Sequence, residues 1–118
     1  MNAHRVTLEG IDLGIARRAL EEELHRIHAY PPSEDYTALE KAEDEADMFE
    51  LAATLGRLGD ERASATLDRE EAARLRPVVS SFHAELVDAG WDETSDDPSD
   101  WANQSDSESA YALLRRLS

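Results

Sequence analysis

Over most of this chain, apolar residues recur every three or four positions, the spacing of helices that bury one face. Leu13, Ala16, Leu20, Leu24 and Ile27 share one side of a predicted first helix, with Asp12 placed to cap its first turn. Tyr30-Pro31-Pro32 ends it, because a residue before proline is pushed out of the helical region. The second helix starts between Ser33 and Thr37, where Thr37-x-x-Glu40 has the spacing of a capping box. It carries two apolar stripes, Leu39-Ala42-Ala46-Phe49-Ala53 and Met48-Leu51-Leu55-Leu58, so its C-terminal half is expected to be the more buried. Gly59-Asp60 is its expected stop.

Asp68 with Glu71 has capping-box spacing and opens a third helix with Ala72, Leu75, Val79, Phe82 and Leu86 on its inner face. Pro77 interrupts that run, and an interior proline removes a backbone hydrogen bond, so this helix is expected to be kinked or split there. Residues 91–104 are rich in Asp and Ser and read as an irregular acidic loop. A last helix is predicted from Ser105-x-x-Glu108 through Tyr111, Leu114 and Leu117. Before the first helix, the brief alternation Val6-Thr7-Leu8 allows a short strand, which would make the fold α+β if paired. The expectation is one all-α domain over 1–118, a small bundle of about four helices.

Composition supports helices. Only seven of 118 residues are aromatic, and the apolar positions are largely Leu and Ala. No cysteine is present, which excludes disulfides, thiolate nucleophiles and Cys-based zinc sites. No apolar run approaches the ~20 residues of a membrane span, and the N-terminus lacks the apolar core of a secretory signal. A soluble, cytoplasmic protein with no membrane partner is expected.

Charge sharpens the picture. The formal net charge is −15, and residues 33–60 alone hold nine acids against Lys41 and Arg57, a net of −7. Residues 90–118 add −5, while the two remaining stretches are nearly balanced. So acidic a chain is not expected to bind nucleic acid directly, since phosphate contacts need clustered Lys and Arg. Arginine outnumbers lysine 11 to 1, and with the acid this also fits a GC-rich or salt-adapted source.

Candidate chemistry is sparse. Glu22-x-x-His25-x-x-His28 offers a carboxylate and two imidazoles as weak metal-ligand candidates, but a di-iron bundle needs a second Glu-x-x-His, which is missing. Asp92, Thr94 and Asp96 imitate the first half of a calcium loop, whose glycine and closing glutamate are replaced by Asp97 and Asn103. Ser80-Ser81 near His83 lacks any nucleophile elbow, and the acid pairs Glu40/Asp44 and Glu43/Asp47 belong to a continuous acidic face. No catalytic residue and no cofactor is therefore assigned.

The leading expectation is a non-enzymatic interaction module that presents Glu40, Glu43, Asp44, Asp47 and Glu50 to a basic protein surface. Trp91 and Trp101, unusual in an acidic loop, either dock on the helices or join the partner-facing surface. An inhibitor, an antitoxin or immunity protein, or a nucleic-acid mimic is the natural sub-class for this size and sign. The alternatives are a structural or assembly subunit that self-associates through apolar helix faces, and a metal-binding helical bundle.

Overall fold

Strand β1 (Val6–Glu9) runs directly into helix α1 (Gly10–Ala29), and no linker separates them. The computed structural model describes residues 5–56, 61–89 and 98–117, with backbone alone at 89 and 98–103. The strand-to-helix corner is made at Gly10, whose φ of +57° lies in the left-handed region that favours glycine. Glu9, not Asp12, is the residue preceding the helix, and it makes no side-chain cap; Asp12 sits inside the first turn. All five predicted stripe residues of α1 are buried. The helix ends at Ala29, as the Tyr30-Pro31-Pro32 sequence requires.

Helix α2 (Ala38–Leu55) starts at Thr37, whose hydroxyl accepts the Glu40 amide at 3.2 Å. It stops earlier than expected. Gly56, at φ +81°, turns the chain out of the helix in place of Gly59-Asp60, which lies outside the described residues. Met48, Leu51, Ala52 and Leu55 are buried, so the C-terminal half is the embedded one. The stripe Leu39-Ala42-Ala46-Phe49-Ala53 instead faces solvent, with Leu39 69% and Phe49 48% exposed. The reason is placement: α2 lies mainly against α1, and one narrow arc of its C-terminal half satisfies that contact.

A strand absent from the sequence reading follows. β2 (Ser64–Leu67) pairs antiparallel with β1, in the register Val6↔Leu67, Thr7↔Thr66, Leu8↔Ala65 and Glu9↔Ser64. Leu8, Ala65 and Leu67 point inward, while Thr7 and Thr66 meet on the outer face, their hydroxyls 3.1 Å apart. The predicted N-terminal strand is thus present and paired, as a two-stranded sheet beside an otherwise helical bundle.

Helix α3 (Arg69–Ala89) is opened by a complete capping box: Asp68 accepts the Glu71 amide at 2.8 Å, and Glu71 accepts the Asp68 amide at 3.2 Å. It runs through Pro77 without splitting. Pro77 is exposed, and the buried Leu75, Val78, Val79 and Phe82 on either side hold both halves on one core. Helix α4 (Pro98–Leu117) begins seven residues before the predicted one, so 98–104 is helix and not irregular loop, and Ser105 is interior to the helix instead of capping it. A proline in the first helical position has the right φ already set and needs no amide, which explains the early start. The buried face of α4 is Ser107, Ala110, Leu113 and Leu117; the expected Tyr111 is 57% exposed and Leu114 half-buried.

The four helices and the sheet enclose one hydrophobic cluster dominated by Leu and Ala. Among the described residues no helix is long and apolar enough to cross a membrane. Inside the cluster lies one buried cation. Arg17, 9% exposed, donates through Nε to the Leu55 carbonyl at 2.9 Å and through its terminal nitrogen to the Arg62 carbonyl at 3.3 Å. Arg62 in turn donates to the carbonyls of Ala53 (2.9 Å) and Thr54 (3.1 Å). Helix α2 has no basic residue in its last turn, so these two arginines satisfy its terminal carbonyls from outside. Replacing Arg17 by Met should leave the Leu55 carbonyl buried without its donor and cost ~2–4 kcal/mol in urea unfolding. Arg115→Met on the exposed side of α4 should cost under ~0.5 kcal/mol, and equal losses for the two variants would contradict the capping role.

Candidate acidic docking face

Residues spaced 0, 3, 4 and 7 along a helix share one side, which places Glu40, Glu43, Asp44 and Asp47 together on α2. Three of these side chains are exposed and Asp47 is half-buried. Glu40, Glu43 and Asp47 form no ion pair with any described residue. Asp44 accepts the Tyr36 hydroxyl at 2.8 Å. Glu50, at the far end of the face, is the exception in charge terms, since Arg74 of α3 binds it at 2.7 Å and Glu70 at 3.0 Å. That bond to Glu50 is the main reason the Arg74 guanidinium pKa is raised, holding the side chain cationic.

Elsewhere several acids are paired with arginines. Arg18 of α1 binds Asp106 of α4 at 2.8 Å and lies 5.3 Å from the Phe82 ring centre. Arg116 bonds Asp12 and the Thr7 carbonyl, and Arg26 bonds Glu23 and reaches Glu85 at 3.7 Å. Glu40 and Glu43 have no such partner among the described residues, on the helix that also carries the exposed Leu39 and Phe49.

The face borders a groove of about 290 Å³ where α1, α2 and α3 meet. Ile27, Met48 and Val78 form its apolar floor, Glu23, Asp44 and Asp47 its acidic rim, and Arg74 stands at one side. Such a cleft suits a long basic side chain, whose methylene stem lies on the floor while its head meets the carboxylates.

The N-terminal approach to α2 is built to hold this face still. Ser33 and Tyr36 exchange two backbone hydrogen bonds, at 2.7 and 3.3 Å, and the Ser33 hydroxyl also accepts the Tyr36 amide. Lys41 reaches back to the Tyr30 carbonyl at 2.8 Å. Tyr36, Glu23 and Arg74 were not among the expected site residues: each is isolated in sequence, and only the chain's return after Pro32 brings Tyr36 over Asp44.

The other candidates fare differently. Glu22, His25 and His28 do not converge. All three are exposed on α1, because successive steps of three drift ~60° around a helix, and His28 instead lies 3.8 Å from Glu45 of α2. Among the described residues no group of three or more His, Asp or Glu side chains is placed to hold a metal ion. His83 lies with its ring centre 6.0 Å from that of Tyr111, on the opposite side of α3 from any carboxylate cluster named above. Trp91 and the calcium-like Asp92, Thr94 and Asp96 lie outside the described residues; Trp101 falls on α4, its side chain outside them as well.

The Tyr36 phenol pKa is pushed up to about 12, first by lost hydration, then by its bond to Asp44 and the negative field of Asp44, Glu45 and Glu40. A folded-state value above the ordinary ~10 means that this contact contributes fully below pH ~10 and is lost as the pH rises towards the raised value. An absorbance titration of wild type minus Tyr36→Phe should isolate a phenol ionising near that value, and Asp44→Ala should bring it part of the way down. A Tyr36 step already complete near pH ~10 in wild type would contradict the contact.

Compared with known proteins, the chain matches no protein-family model, no curated protein and no solved structure, so the roles of these side chains rest on their own geometry.

Proposed function

We propose that this protein is a non-enzymatic interaction module that docks the acidic face of α2 on a basic protein surface. The observation that carries this reading is that Glu40 and Glu43 stand exposed, without an ion pair to a described residue, beside Asp44 and Asp47 on a helix fixed at both ends. Fixed carboxylates steer a basic partner in and select it, and a preordered helix does so with little ordering cost. Leu39 and Phe49, on the neighbouring stripe of the same helix, supply the apolar anchors around which such interfaces concentrate their energy. Glu40 and Glu43 stand open to solvent, without the enclosure that general acid–base chemistry uses. An inhibitor that covers a basic groove, whether of a toxin or of a nucleic-acid-binding protein, is the sub-class closest to this surface.

Self-association through Leu39 and Phe49 is the competing reading. It brings two copies of a segment carrying −7 together, a repulsion that a basic partner turns into attraction. Light scattering should accordingly show a monomer at low salt.

Capture from the native source with immobilised wild type should retain partners at low salt and release them at moderate salt. Reversing Glu43 and Asp47 to Lys should abolish that retention and leave the unfolding free energy within ~1 kcal/mol of wild type, since Glu43 is exposed and Asp47 only half-buried. Retention of the same proteins by the reversed variant would overturn the proposal.

A further inference from the structure

We propose that a second site, at the opposite electrostatic extreme of the molecule, binds a small phosphate compound with two or more phosphoryl groups. A cavity of about 810 Å³ opens where the start of β1, the first half of α3 and the end of α4 converge. Arg5, Arg69, Arg76 and Arg116 line it. Four of the chain's twelve cationic side chains thus share one cavity, and among the described residues none of its 27 carboxylates lines it. In a protein of net charge −15, that segregation is the reverse of what random placement gives.

The arginines are built in at helical and strand positions. Arg69, Ala72, Ala73 and Arg76 are spaced 0, 3, 4 and 7 on α3, so two guanidinium groups flank a notch made by two methyl side chains. Arg116 is held in place by Asp12 and by the Thr7 carbonyl, the latter at 2.8 Å. Arg5, Arg69 and Arg76 line the cavity and form no ion pair with a described residue.

Guanidinium groups match phosphate oxygens in pairs of parallel hydrogen bonds. Three unpaired cations beside Arg116, whose charge Asp12 already meets, exceed what a single carboxylate can engage, and they approach the charge of two phosphoryl groups at about −1.5 to −2 each. Val6 and Leu117 give the wall an apolar part, so the ligand carries a modest organic body or none. The site shares no lining residue with the groove beside the α2 face: its residues come from β1, α3 and α4, and the groove's from α1, α2 and other positions of α3.

Inorganic pyrophosphate is the probe, titrated calorimetrically into the wild-type protein at constant, near-physiological ionic strength. Saturable one-to-one binding is expected, weakened about tenfold by each of Arg69→Gln and Arg76→Gln, both exposed and outside the ion pairs that hold the fold. Arg18→Gln, at the α1–α4 contact away from the cavity, should bind pyrophosphate as wild type does. Non-saturable heats, equal binding by the Arg69 and Arg76 variants, or citrate binding as tightly as pyrophosphate would each overturn the proposal.

Discussion

Everything about the orientation of α2 depends on how its C-terminus is finished. The negative end of this helix carries no base of its own, yet the Leu55 carbonyl is buried against a core made of leucine and alanine. Left unsatisfied, that carbonyl would cost about 1–3 kcal/mol. Arg17 from α1 and Arg62 from the approach to β2 meet Ala53, Thr54 and Leu55, and Gly56 then turns the chain away. One buried guanidinium thereby ties three segments distant in sequence: the middle of α1, the end of α2 and the entry to the sheet. The acid-rich part of α2 lies about one to four turns upstream of this anchor, so its carboxylates inherit a fixed position.

That anchoring explains how so acidic a chain folds without spreading its charge evenly. Arginines on α1, α3 and α4 are spent on contacts between elements: Arg18 to Asp106, Arg26 towards Glu85, Arg74 to Glu50 and Arg116 to Asp12. Exposed pairs of this kind contribute little singly, but they decide which acids remain uncompensated. Glu40 and Glu43 of α2 are among the acids left without an ion pair to a described residue, and Arg5, Arg69 and Arg76, likewise without one, line the cavity beside β1. An acidic helical face and an arginine-lined cavity thus coexist in a chain of net charge −15.

Much of the fold was legible because its helices bury regular stripes. Leu13 to Ile27 on α1 and Ala72 to Leu86 on α3 are buried as their spacing predicts, and Thr37 and Asp68 cap as their sequences predict. Legibility failed where tertiary contact chose between equivalent local patterns. Two apolar stripes on α2 look alike in sequence, and only the position of α1 decides that Leu51 and Leu55 go in while Leu39 and Phe49 stay out. β2 has just Ala65 and Leu67 to signal it, and its partner lies 59 residues away at Thr7–Thr66. Of the site, the acidic spacing on α2 was readable; Arg17 was not, although it occupies an inward position four residues after Leu13, where a charged residue in an apolar stripe is the only clue.

Anchoring from the C-terminus of α2 preforms the acidic face, and native-state amide hydrogen exchange of the free protein tests this. Amides from Met48 to Gly56 are expected to be protected to the same free energy as those in the buried halves of α1 and α3, with protection declining only towards Ala38. Exchange of the whole of α2 at a much lower free energy than α1, as a unit that opens on its own, would contradict it.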